Sequence, residues 1–185
     1  MMNVKTIEIP AGEYVRRFRE PEKFVVFCRE CANYGTTYAC PPFLHGEDRR
    51  LMEWKNALIV VWRYRLPEGR HRISDSAGLM VAPKARLEKM LLGLERLHGG
   101  LAFGIGGGCS RCGLCERISG RPCRHPESVR PPLEAYGFDL CRTISELFGM
   151  EMEWAEDGFL PESLTLVGAL FHNKEAGEIS LSGLL

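Results

Sequence analysis

The chain has 185 residues, a mass of 20.9 kDa and 45% hydrophobic residues, which excludes a disordered chain and suits one domain with a sizeable core. Its 24 Lys+Arg balance 24 Asp+Glu, which excludes a nucleic-acid binder driven by bulk charge. Arg outnumbers Lys by 18 to 6, a bias toward fixed, forked contacts with carboxylates and other anions.

Residues 3–9 alternate around Val4, Ile7 and Ile9, predicting a strand that stops at Pro10. Ala11–Glu20 reads as a short helix ending before Pro21. Phe24–Phe27 is an apolar run leading into Cys28, and residues 28–46 read as loop because Asn33, Gly35, Pro41, Pro42 and Gly46 break regular structure. Glu47–Asn56 reads as a helix. Ala57–Trp62 is the strongest strand signal, apolar on both faces. Pro67–Gly78 reads as an exposed connection, with Pro83 opening a helix in which Leu87, Met90, Leu91, Leu94 and Leu97 recur at helical spacing. Gly99-Gly100 stops that helix, and Leu101–Ile105 is a strand that delivers the chain into Gly106-Gly107-Gly108-Cys109. Leu133–Phe148 contains a helix, and Glu151–Trp154 and Leu164–Phe171 read as closing strands. The expectation is one α/β domain spanning 1–185, a mixed β-sheet with flanking helices, and two cysteine-rich metal-binding loops at 28–42 and 106–132. Sites in open sheets gather beyond the carboxyl ends of strands, which would bring the two loops to one edge.

No apolar run approaches the ~20 residues of a membrane span, and Met1–Ile9 lacks a basic-then-apolar leader. The expectation is a cytoplasmic protein that binds neither membrane nor nucleic acid. Eight cysteines in a reducing compartment point to metal or redox chemistry before disulfides. Seven of them form two groups, Cys28, Cys31 and Cys40, then Cys109, Cys112, Cys115 and Cys123, on either side of a cysteine-free stretch of 68 residues.

The second group is the more specific signal. Cys109, Cys112 and Cys115 are three potential ligands at a pitch of three residues, with Cys123 close behind. Tetrahedral zinc usually takes two C-x2-4-C pairs from separated segments. A tight three-cysteine run suits a 4Fe–4S cubane, whose corners are several ångströms apart, and bacterial ferredoxins use the same spacing. Zinc is the alternative. Arg111, Arg117, Arg121, Arg124 and Arg130 surround these thiols, either as solvated loop surface or as charge that offsets an anionic cluster. Phe103–Gly108 is glycine-rich but lacks the Gly-Lys-Ser/Thr ending of a phosphate loop.

The first group, Cys28, Cys31 and Cys40 followed by Pro41-Pro42, offers three thiols and no local fourth. His45, the remote Cys141, solvent, a substrate or a partner are the alternatives for the missing ligand. An open position is where chemistry happens, whereas a closed site is structural. Cys141 beside Leu140 and Ile144 otherwise reads as a small helical core residue. No Ser-His-Asp order, nucleophile elbow or paired-carboxylate motif appears.

Cys28-x2-Cys31-x2-Tyr34-Gly35-x4-Cys40-Pro41-Pro42 and Gly107-Gly108-Cys109-x2-Cys112-x2-Cys115-x7-Cys123-Arg124-His125-Pro126-Glu127-x2-Arg130-Pro131-x-Leu133-Glu134-Ala135-x-Gly137-x-Asp139 together resemble a prokaryotic family. It is the family of predicted metal-binding proteins carried as a domain of unknown function. The resemblance implies metal, iron–sulfur in particular, and implies no reaction. Cys141 lies outside the shared pattern, and Pro132 stands where a small residue is expected. Arg130 with Glu134, or Arg124 with Glu127, would pair to brace the loop; the other reading makes Arg124 and Arg130 a cationic mouth.

Three classes of function follow. The first is an iron–sulfur redox protein, an electron carrier or the cluster-bearing accessory of a reductase, with one or two 4Fe–4S clusters and a redox protein as partner. The second is an iron–sulfur enzyme with an open metal position at the three-cysteine site and a small anionic substrate. The third is a zinc-stabilised interaction module.

Overall fold

The structure, a computed structural model, describes residues 3–43 and 51–181. Four strands, β1 (Val4–Pro10), β2 (Asn56–Arg65), β3 (Leu101–Phe103) and β4 (Ser163–His172), form one sheet in the order β1-β2-β4-β3. The helices are α1 (Ala11–Phe18), α2 (Pro21–Arg29), α3 (Ser76–His98) and α4 (Leu140–Phe148). The α/β fold with flanking helices is the one expected. All three ladders run antiparallel, and parallel pairing reduces to the isolated bridge Gly104–Pro132.

The apolar run at Ala57–Trp62 is explained by helices on both faces of β2. Ala57, Ile59 and Val61 point to the side where Tyr14 and Phe18 of α1, Ile144 of α4, Leu133 and Phe138 pack. Leu58, Val60 and Trp62 point to the other side, against Leu87, Met90, Leu91 and Leu94 of α3. Gly168 lets α3 approach β4 closely, since a Cβ there would lie 2.5 Å from Leu91 Cδ1. Tyr14 stacks on Phe138 at 4.8 Å and shares a hydrogen bond with Thr143, so α1 and α4 close over the same face.

Several local expectations shift. Pro83 lies inside α3 rather than at its start, because the helix already begins at Ser76 behind a 3₁₀ turn at Ile73–Asp75. Leu97 carries the helical spacing but is 70% exposed, one turn beyond the sheet. The helix expected over Glu47–Asn56 falls partly on residues 44–50, outside the described ones; residues 51–53 make a short 3₁₀ turn and Asn56 already belongs to β2. The helix expected within 133–148 is α4; a 3₁₀ turn, Leu133–Tyr136, precedes it, because Gly137 takes φ +84° and Asp139 caps α4 by accepting from Arg142 N–H. Residues 151–154 carry no strand. Among the described residues no helix is long and apolar enough to cross a membrane.

Candidate metal centre

Cys28 sits on the last turn of α2, not in a loop, because Pro21-Glu-Lys-Phe-Val-Val-Phe27 winds as a helix with Pro at its first position. The chain then turns tightly. Cys31 N–H donates to Cys28 O, Tyr34 N–H to Cys31 O, and Gly35 N–H to Pro41 O at 2.7 Å, closing a loop that holds Cys40. Burial pushes Cys28 and Cys40 above the ordinary thiol value; Cys40 and Cys31 add to the rise at Cys28, while at Cys40 a hydrogen bond with Thr37 opposes it and Cys31 adds to it.

The second group leaves the sheet as expected, from β3 through Gly106-Gly107-Gly108. Burial raises the Cys109 thiol, with Cys115 and Cys123 contributing, while Arg111 N–H donates to it and acts the other way. His125 N–H points at Cys123 Sγ from 3.4 Å. Backbone N–H groups aimed at sulfur are the donors that stabilise thiolates around a metal.

The two groups meet. Arg117, in the 3₁₀ turn Glu116–Ser119 directly after Cys115, donates to Thr37 O at 2.7 Å, Cys40 O at 2.5 Å and Pro42 O at 2.5 Å. Tyr38 O–H donates to Arg121 O at 2.6 Å. Gly108, at φ +76°, lies against the Asn33 amide, which would overlap any Cβ placed there. Thiols separated by 68 residues of sequence thus share one end of the molecule.

Beneath the loops lies a polar floor. Lys84 of α3, almost wholly buried, donates to Gly106 O at 2.8 Å and to Gly108 O. Glu88, one turn on, lies 3.8 Å from Lys84 Nζ, and burial raises its carboxyl despite that cation. Glu134 presses its Oε1 onto Gly106, while its Oε2 is shut from solvent and has no hydrogen-bond partner. Enclosure pushes this carboxyl up to about 7, with its own backbone N–H and Lys84 pulling the other way.

The loop arginines brace the loop, with other partners than expected. Arg130 grips Glu95 of α3 with two nitrogens, Nε at 2.8 Å from Oε2. Although burial works against it, this fork and the Ala102 N–H hold the Glu95 carboxyl below its ordinary value. Arg124 and Arg121 converge on Glu116, at 3.3 Å and 2.5 Å. Glu134 pairs with neither Arg124 nor Arg130, which are taken by Glu116 and Glu95, and its carboxylate lies over Gly106 instead. A cleft of about 770 Å³ opens between Tyr38, Trp54, Tyr136 and Arg130, with Cys123 on its wall.

Cys141 is exposed at the start of α4, where the nearby charges are Asp139, Glu151 and Lys23. His45 lies outside the described residues. Among the described residues no three Cys, His, Asp or Glu side chains converge closely enough to hold a single metal ion. A cubane asks for something looser, one ligand at each iron corner, and the donor set of two thiol groups with inward N–H donors suits that chemistry. Sequence reading passed over Lys84, yet a signal existed: it falls on the stripe of Leu87, Leu91 and Leu94, where a charge must find buried partners.

No curated protein and no solved structure gives a significant match to the chain. A family model does, over residues 16–171, from α1 through both cysteine groups to the end of β4. The chain therefore belongs to the family of predicted metal-binding proteins, DUF2284.

Proposed function

We propose that this metal-binding protein carries iron–sulfur clusters of the 4Fe–4S type, one held by Cys109, Cys112, Cys115 and Cys123 and a second by the Cys28, Cys31 and Cys40 group, and that it works as a redox protein. The observation that carries the reading is the Arg117 stitch. It draws the cysteine run at ferredoxin spacing against a second thiol group, so both would sit in one electronic neighbourhood.

A bound cluster supplies one-electron redox chemistry. The chain's own residues set the conditions for it. The thiols must give up protons to become ligands, and their burial makes that harder without metal. The N–H groups of Arg111 and His125 then offset negative charge on sulfur, and Arg117 and Lys84 add fixed positive charge nearby, which favours the more reduced state. The working form is an electron carrier or the cluster-bearing accessory of a reductase.

The second reading, an iron–sulfur enzyme, is favoured by one observation: the first group lacks a fourth thiol, since Cys141 stands elsewhere. Iron and acid-labile sulfide in anaerobically purified protein test the proposal. About four irons per chain mean one cubane and about eight mean two. A colourless protein with stoichiometric zinc and no labile sulfide refutes it. A small anionic molecule that shifts the spectrum of one cluster alone favours the enzyme.

A further inference from the structure

The cleft beside Cys123 has no part in holding the thiols, yet it is built. Its volume of about 770 Å³ lies in the range of small-molecule sites, about 300–1,000 Å³. The chain is 9% aromatic, but Tyr38, Phe43, Trp54 and Tyr136 meet on these walls from three separate segments. The walls are held in place. Phe43 stacks on Tyr136 at 4.7 Å, and Phe103 of β3 meets Tyr136 edge-on at 5.3 Å from the core side. Tyr38 is anchored by its hydroxyl on Arg121 O, and its ring already attracts one cation, with the Arg117 guanidinium 5.7 Å from the ring centroid.

Which polar groups are already taken decides what a ligand must offer. Arg130 commits its guanidinium to Glu95, Pro126 O and Val129 O. Glu95 in turn holds Arg130 and the Ala102 N–H. The Trp54 N–H is shut from solvent, so the part of the indole that lines the cleft is carbon. Glu53 is left over: it is exposed and, among the described residues, has no ion pair or hydrogen bond. Arg130 and Glu95 cancel, so the lining carries one uncompensated negative charge. An anion would meet that charge and find Arg130 occupied. A cation would meet both Glu53 and the electron-rich faces of the aromatic rings.

We propose that this cleft binds a small organic cation with a quaternary ammonium head, held by cation–π contact with Trp54 and the tyrosines and by the charge of Glu53. A methylated ammonium suits the lining because it is charged yet has no N–H to satisfy. The cleft is large enough for the head and a substituent on it. The assignment does not rest on the iron–sulfur reading and holds equally for a protein that carries zinc.

The test is calorimetric titration of the full chain, purified anaerobically with its metal. The probes are choline chloride and, at matched ionic strength, 3,3-dimethylbutan-1-ol, which has the shape of choline without its charge. Choline binds saturably with a Kd below about 10 mM, and the neutral alcohol binds at least about 5-fold more weakly. Glu53→Gln, a surface change, weakens choline about 3- to 10-fold and leaves the alcohol unchanged. Trp54→Leu, which keeps apolar bulk without the ring face, weakens choline at least about 5-fold. Trp154→Leu removes an exposed tryptophan outside the cleft and matches wild type. The assignment is overturned if wild type shows no saturable choline binding or binds choline and the alcohol equally. It is also overturned if Trp154→Leu weakens choline as much as Trp54→Leu. Should Trp54→Leu fail to fold, Glu53→Gln decides, and unchanged choline affinity in that variant overturns the assignment.

Discussion

Removing Arg117 should open the first cysteine loop and leave the sheet intact. Its guanidinium makes three hydrogen bonds to carbonyls of that loop, at 2.7, 2.5 and 2.5 Å. A hydrogen bond from a charged donor contributes about 1.5–3 kcal/mol when enclosed. Here the bond to Pro42 is exposed and all three carbonyls can turn to water, so about 1 kcal/mol each is the better figure, with a total of about 2–4 kcal/mol. That is roughly a 30- to 700-fold rise in the loop's opening equilibrium. Gly35 N–H and Cys40 N–H, which donate within the loop, report it. Hydrogen exchange on metal-free Arg117→Ala should speed up at these amides by that factor, while amides of α3 keep wild-type rates. Arg117→Lys, a point donor without the fork, should give an intermediate acceleration. Exchange at Gly35 and Cys40 within about twofold of wild type would show that the stitch contributes nothing, and the argument for one shared end would lose its energetic basis.

Three further outcomes are expected. Cys141→Ala should keep wild-type metal and sulfide content, whereas Cys112→Ser should lose one centre; equal losses would place Cys141 among the ligands. Gly137→Ala should destabilise the protein by about 1–3 kcal/mol in urea, because the residue sits at φ +84° against Pro21, and a change below about 0.5 kcal/mol would refute the close approach. His172 is fully buried, and burial holds its ring below the usual 6.5, with Glu8 opposing, His98 assisting and Glu178 opposing. The unfolded ring binds its proton more readily, so stability is full above about pH 6.5 and falls as pH drops below it. His172→Gln should flatten that slope in urea titrations at pH 5–7, and an unchanged slope would assign the acid sensitivity to other groups.

Much of the frame was legible because burial on two faces leaves an unmistakable run, as at Ala57–Trp62, and because Gly99-Gly100 can only stop a helix. The cysteine spacings likewise announced metal. What escaped the sequence was set by distance along the chain. Nothing near Arg117 names the carbonyls of Thr37, Cys40 and Pro42 as its partners, and nothing near Glu134 shows that Gly106 is pressed against it. Pairings guessed from proximity, Arg130 with Glu134 and Arg124 with Glu127, lost to partners on α3 and in the Glu116–Ser119 turn. The helix expected within 133–148 is there as α4, but its start was not legible, because it is set by Gly137, whose packing on Pro21 ends one turn before the next begins.

The strand order has a consequence for biosynthesis. β4 lies between β2 and β3, so the sheet's two halves join only through the last of its four strands to be made. Every cysteine, up to Cys141, leaves the ribosome before Ser163 does. A nascent chain therefore displays all eight thiols while β2 still has a bare edge and β3 has no neighbour. Metal delivered at that moment would meet ligands ahead of the fold that encloses them, and a chain starved of metal would expose thiols and strand edges together, the combination most prone to oxidative cross-linking and aggregation.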